Sequence, residues 1–202
     1  MQQVSDKETE FIIAQAKKTL TLPGDFVELG CYRGDTSILL QKLLNHSSKR
    51  LFLYDSFAGL PEKSKEDASV AGDGFKKGEL GVTKKEVVLR FKKAGLRVPI
   101  IKKAFFEELD AGQLLPNGTL DAAHPGDLPA QISFAFLDGD LYGSIKTSLG
   151  LVLPRMVKGG ILLVHDYNNP SLPGVAKAVD ERGLSGTVHE TVFCHLVWPT
   201  ES

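Results

Sequence analysis

At 202 residues with 42% hydrophobic content, the chain is long enough to bury one sizeable core, and its 24 basic and 25 acidic residues leave a formal net charge of -1. These charges are mixed along the chain, which excludes the basic field that nucleic acid or an anionic membrane surface would need. Cys31 and Cys194 stand far apart with no metal-ligand or C-x-x-C spacing, the N-terminal segment lacks a basic signal-peptide flank, and no apolar run approaches the ~18 residues of a membrane span. The expectation is a cytoplasmic protein with reduced, structural thiols.

In chain order, apolar residues at helical intervals predict a leading helix over 8–20, ended by Pro23-Gly24. DFVELG (25–30) reads as a buried strand. A glycine turn then feeds a helix over 34–46, with Asp35 or Thr36 near its start and Leu39, Leu40, Leu43 and Leu44 on its buried side. The alternation continues with a strand over 50–56, a long polar segment (57–80), a helix over 83–96, a strand over 98–105 and a short helix around 106–115. It resumes with a strand over 132–140, a helix over 142–156, a strand over 159–167 and a helix over 173–183. The β-branched and aromatic stretch 187–199 predicts one long or two short antiparallel terminal strands. Repeated βα units imply one α/β domain: a doubly wound, mostly parallel, Rossmann-like sheet with helices on both faces. The segments 57–80 and 112–130, rich in Gly, Pro, Lys and Asp, read as long loops and candidate lids.

In such sheets ligands bind beyond the carboxyl ends of the strands. The chemistry-bearing residues fall there: Glu28 to Gly34, Asp55-Ser56, Phe105, Asp138 to Asp140 and His165-Asp166 each follow an apolar strand. The turn VELGCYRGDTS (27–37) lacks two of the three glycines of a dinucleotide fingerprint. Its Glu28, two places before Gly30, would repel a pyrophosphate and suits a cationic, phosphate-free ligand such as S-adenosylmethionine. Asp55 ends the second strand where an acid can accept ribose hydroxyls, and Phe105 is placed to lie against an adenine ring, although Phe105 and Phe106 also fit a core. Asp138 and Asp140, two apart on an extended strand, aim at one volume, and two unpaired carboxylates there call for a cation or a division of labour. With His165 and Asp166 on the presumed neighbouring strand, three or four ligands for a divalent cation meet: Asp138, His165, Asp166 and Asp140. The plainer alternative has Asp138 capping the following helix and His165 bonding a backbone carbonyl. The other histidines carry less weight, with His124 alone able to reach the rim from a loop.

The segments LYDSFAGLPE (53–62), KKAFFEEL (102–109), FLDGDLYGSIKTSL (136–149), RMVKGGILLVHDYNNP (155–170) and PGVAKAVDE (173–181) together resemble the macrocin O-methyltransferase (TylF-like) family over about residues 25–185. The resemblance implies a class I S-adenosylmethionine-dependent methyltransferase that needs Mg²⁺ and methylates sugar or phenolic hydroxyls of natural products. It implies a cofactor set of Glu28, Gly30, Tyr32, Gly34, Thr36 and Ser37 on the first turn and helix. Asp55, Ser56, Phe57, Phe105 and Asp138 complete that set from the other strand ends. By motif position Asp138 would also be a metal ligand and Asp140 the general base, while His165 and Asp166 stand where the family has a pair of metal-binding aspartates. Imidazole in place of carboxylate removes one negative charge and moves the preference from Mg²⁺ towards Mn²⁺, Fe²⁺ or Zn²⁺. The leading segment is shorter than the family's N-terminal helical extension, which makes a macrolide sugar an unexpected acceptor. The expected partner is a small-molecule hydroxyl acceptor, with no nucleic acid and no membrane, and oligomeric state is open, a homo-oligomer included. Three rivals stand beside this reading: a non-catalytic S-adenosylmethionine-binding protein with a degenerate metal site, an NAD-dependent oxidoreductase, and, weakest, a dehalogenase-like phosphatase suggested by LDGDL (137–141).

Overall fold

The structure, a computed structural model, describes residues 4–69, 74–115, 121, 123–124 and 126–197. Its elements are α1 (Asp6–Lys18), β1 (Asp25–Leu29), α2 (Asp35–Leu44), β2 (Leu51–Asp55), α3 (Lys84–Lys93) and β3 (Ile100–Lys103). They continue with β4 (Ile132–Leu137), α4 (Tyr142–Val152), β5 (Met156–Val164), α5 (Pro173–Asp180), β6 (Thr187–His189) and β7 (Val192–Leu196). The strands form one sheet in the order β3-β2-β1-β4-β5-β7-β6. The first five pair in parallel, and β7 joins β5 and β6 antiparallel. The chain builds outward from β1 to β3, returns to β4 and builds the other way, so the crevice between β1 and β4 is the switch point.

Strand alternation divides the core between the two faces. Phe26, Phe134, Phe136, Ile161 and Leu163 pack with Ile12, Leu40 and Phe91 from α1, α2 and α3. Their neighbours Val27, Ala135, Leu137, Leu162 and Val164 pack with Ile145, Leu149, Val175 and Val179 from α4 and α5. Side chains that continue the first set beyond the strand ends therefore emerge on the α1 and α2 side.

Helix boundaries follow capping chemistry. α1 begins at Asp6, two residues before the apolar period, because Ser5 and Glu8 form a reciprocal capping box: Glu8 N–H donates to Ser5 Oγ (3.3 Å) and Ser5 N–H to Glu8 Oε2 (2.9 Å). The start of α4 has no side-chain cap of its own. Asp67, buried in the long loop, supplies one: Tyr142 N–H donates to Asp67 Oδ1 (2.7 Å), while the Ser64 N–H and hydroxyl donate to Oδ2 (2.9 and 2.7 Å). Gly174 leaves room for that carboxylate, since a Cβ there would lie 2.1 Å from Asp67 Oδ1. The first part of the 57–80 loop is thus anchored beneath α4 and α5; residues 70–73, and 116–120, 122 and 125 of the second candidate lid, lie outside the described residues. Two sequence expectations need correction. The helix around 106–115 is a single 3-10 turn, Phe106–Glu108, because the backbone becomes extended at Leu109 (φ -75, ψ 132). Pro154 turns the end of α4 into a 3-10 turn, so β5 starts at Met156 rather than 159.

Candidate functional site

Register places the site. Leu137 on β4 pairs with Val164 on β5, so Asp138 and His165 are the next residues at the rim, on the face that carries Phe136 and Leu163. Asp138 N–H donates to Leu29 O (2.8 Å) and His165 N–H to Leu137 O (2.9 Å), which fixes both backbones just beyond the ladder. Asp166 follows with φ 61, a left-handed turn that brings its carboxylate back beside His165. Asp140 also has φ 60: β4 ends at Leu137, so a turn, not strand alternation, carries Asp140 into the site.

Two clefts meet at this rim. One, with about 570 Å³ of open space, is bounded by Asp55, Pro61, Leu80, Phe105, Asp138 and Asp140. The other, about 510 Å³, is bounded by Val4, Glu28, Thr36, Asp138 and Cys31. Tyr32 and Asp138 line both, so the clefts adjoin at these two residues. The turn between β1 and α2 forms their floor. Gly30 (φ 89) and Gly34 (φ 79) provide its left-handed positions, and Tyr32 is held at φ 44. Asp55 ties this turn to β2: its Oδ2 accepts from Cys31 N–H (2.9 Å) and Tyr32 N–H (3.0 Å), its Oδ1 from Phe57 N–H (2.8 Å). A carboxylate has about four acceptor directions, so about one remains for a ligand.

Glu28 is fully buried at the base of the second cleft, and its Oε2 has no hydrogen-bond partner. Burial pushes its carboxyl up to about 8, with the Ser37 hydroxyl moderating the rise and Asp138 and Asp55 adding to it. At neutral pH the group therefore rests protonated until a cation arrives. Its bare charge is not what the cleft presents; an unsatisfied buried oxygen is, and that suits a ligand bearing a donor and a positive charge.

Among the described residues, ligand atoms of Asp138, His165 and Asp166 all lie within 4.8 Å of one another. His165 Nδ1 is 2.9 Å from Asp138 Oδ1 and 2.9 Å from Asp166 Oδ2. Two separations of about 3 Å suit neighbouring ligands of one ion, and two carboxylates with one imidazole are a donor set for a divalent ion. The residues present thus fit such an ion. Without one, burial would discharge His165, but Asp138 and Asp166 outweigh it and push the imidazole up to about 12, so an imidazolium neutralises the acids. Asp140 is driven well above the usual carboxylate range, first by burial and then by Asp138 and Asp166.

The structure brings together most of the residues singled out in the sequence. Glu28, Gly30, Tyr32, Thr36, Asp55, Ser56, Phe105, Asp138 and Asp140 line the clefts. Phe105 is half-buried and lines the first cleft with Leu60 and Pro61, whereas Phe106 belongs to the core. Ser37 is buried next to Glu28, and Gly34 is the N-cap of α2. Phe57 packs into the core between the sheet and α3, contributing its N–H to Asp55. Asp140 stands beside the three-residue group rather than within it. The capping alternative for Asp138 does not hold, since Asp67 occupies that place. Exposed His124 pairs with half-buried Asp121 (3.1 Å) and stays out of the site. Sequence reading missed Glu8, whose carboxylate faces His165, although Ser5-x-x-Glu8 was a legible capping signature.

No described helix is long and apolar enough to cross a membrane. The chain is 30% identical over 152 residues to 8-demethyl-8-(2,3-dimethoxy-alpha-L-rhamnosyl)-tetracenomycin-C 4'-O-methyltransferase of Streptomyces olivaceus, covering 72% of this chain and 54% of that one. It is 28% identical over 170 residues to demethyldecarbamoylnovobiocin O-methyltransferase of Streptomyces niveus, covering 79% and 58%. The chain thus spans a little over half the length of these two relatives. The solved structure of the O-methyltransferase NovP superposes with a TM-score of 0.73 at 25% identity, covering 95% of this chain and 80% of that one. The family model for macrocin O-methyltransferase (TylF) matches residues 12–192, from the middle of α1 to the first residue of β7. By sequence and by fold, the chain belongs to the macrocin O-methyltransferase family.

Proposed function

We propose that the protein transfers a methyl group from S-adenosylmethionine to a hydroxyl of a small sugar-bearing or phenolic metabolite, with a divalent cation held by Asp138, His165 and Asp166. The observation that carries this reading is the convergence of those three groups, one of which, Asp138, lines both clefts. An elongated cofactor can run through the pair. Its adenosine would lie by Phe105 and Pro61 with one ribose hydroxyl on Asp55, and its amino-acid end would reach Thr36 and the orphan oxygen of Glu28. The named acceptor of the Streptomyces olivaceus relative carries a rhamnosyl group, which supports a sugar hydroxyl as the methylated position.

An aliphatic hydroxyl is far too weak an acid to ionise unaided near neutral pH. When bound, the cation would supply Lewis acidity at that hydroxyl and neutralise the clustered acids, and S-adenosylmethionine would supply the methyl. Asp140, buried in the same cleft, is the group placed to accept the hydroxyl proton; the environment that raises its proton affinity also makes it the stronger base once ionised. Phe105, Leu60 and Pro61 keep water from the adenosine end. The bridging of both carboxylates by His165 favours one second reading, in which the imidazolium takes the cation's place and transfer needs no metal.

Calorimetric titration with S-adenosylmethionine should show one site per chain. Transfer of labelled methyl to rhamnosyl or catechol acceptors should stop with a chelator and resume with Mn²⁺. Transfer that ignores the chelator selects the second reading. Binding of NADH with no binding of S-adenosylmethionine would overturn both.

A further inference from the structure

We infer that Glu8 is a positioning residue that aims His165 Nδ1 at the ion held with Asp138 and Asp166, and so couples α1 to metal loading. The inference rests on the metal-dependent reading above. A ligating imidazole presents one nitrogen to the ion and nearly always donates its other N–H to a carboxylate, carbonyl or water, which sets tautomer and ring orientation. Nδ1 of His165 faces Asp138 and Asp166 at 2.9 Å each, so Nε2 is the second nitrogen. It is buried and without a hydrogen-bond partner, and Glu8 Oε2 faces it at 3.7 Å. That gap is beyond hydrogen-bond length by about half an ångström, so Glu8 acts on the ring through its charge, which favours the proton on the nitrogen facing it and leaves the Nδ1 lone pair for the ion.

Glu8 is not a casual neighbour. It is only 5% exposed, as is His165. Its Oε1 accepts from Thr191 Oγ1 (2.5 Å) and Thr191 N–H (3.2 Å), and its Oε2 from Ser5 N–H (2.9 Å) and Ser5 Oγ (2.8 Å). The carboxylate is thereby locked from the α1 cap on one side and from the β6–β7 turn on the other. A capping box by itself works on a solvated helix end, as Thr83 and Glu86 show at the exposed start of α3. Burying the acid of the α1 box against a histidine is a further expense that the cap does not require. The carboxylate at position 8 is what makes an imidazole at position 165 a directed ligand.

The test is a titration of Mn²⁺ alone, read by the paramagnetic resonance of the free ion, on the parent chain, Glu8→Gln, His165→Asp and the double variant, each checked for its melting temperature. Glu8→Gln should weaken Mn²⁺ binding about 10–100-fold in the histidine background and less than about threefold in the His165→Asp background. Equal loss in both backgrounds would reduce Glu8 to a structural residue, and no loss in either would leave it without a role; each overturns the inference. A parent chain that binds no Mn²⁺ overturns the metal reading together with it, whereas parent binding that survives Glu8→Gln overturns the inference alone. Independently of how the variants fold, the nitrogen-15 shifts of His165 in the Zn²⁺-loaded parent should show metal on Nδ1 and the proton on Nε2. The reverse assignment would overturn the inference.

Discussion

Asp140→Asn is expected to lower turnover by about 10²–10⁴-fold while leaving affinity for S-adenosylmethionine within about threefold of the parent. The side chain faces the first cleft and is pressed by Asp138 and Asp166, but it does not belong to the group whose ligand atoms converge, and Asp55, Glu28 and the glycine turn make up most of the proposed cofactor floor. An amide keeps the shape and volume and removes the capacity to take a proton. Single-turnover rates and calorimetric cofactor affinity, measured on the same preparation, separate the two effects. Loss of both together would make Asp140 a structural residue of the turn rather than the base.

Gly30→Ala should be the most damaging small substitution at the rim, destabilising by about 3 kcal/mol or more and lowering the melting temperature by roughly 10 °C. The added Cβ would sit 2.0 Å from the backbone oxygen of Asp138, at φ 89, where an L residue is strained in any case. Neither backbone can yield easily, because Gly30 N–H donates to Tyr54 O (2.9 Å) and Asp138 N–H to Leu29 O (2.8 Å). Relief would therefore separate the β1 turn from the β4 turn and open the junction of the two clefts, so cofactor affinity should fall with stability. Gly78→Ala is the control: φ is 83, but no atom lies within 4 Å of the added Cβ, and the cost should stay near 1 kcal/mol. Thermal melts of the two variants beside the parent check both expectations.

Much of this architecture was legible because the parallel strands are short apolar runs, each ended by a polar residue. Phe134 to Leu137 and Ile161 to Val164 can only be buried strands, and the residues after them must sit at the carboxyl rim. Adjacency of Asp138 and His165 followed once β4 and β5 were neighbours. What the chain did not disclose depends on contacts distant in sequence. Asp140 enters the site through a left-handed turn that no period announces. Glu28 looked like a fixed negative charge, yet complete burial keeps its proton on, a property of the folded environment. Phe57 belongs to the same buried cluster as Phe91, and only its backbone N–H reaches Asp55. Glu8 is read locally as a helix cap, and only the packing of α1 on the rim turns its other side toward His165. Asp67 lies 75 residues from the N–H it caps, beyond any local rule.

The most direct measurement is an anomalous difference map from crystals grown with S-adenosylhomocysteine and Mn²⁺. The expected result is one Mn²⁺ peak bonded to Asp138, His165 Nδ1 and Asp166, with adenosine between Asp55 and Phe105. Cofactor in that cleft with Mn²⁺ absent from the three side chains, or bound elsewhere, would contradict it.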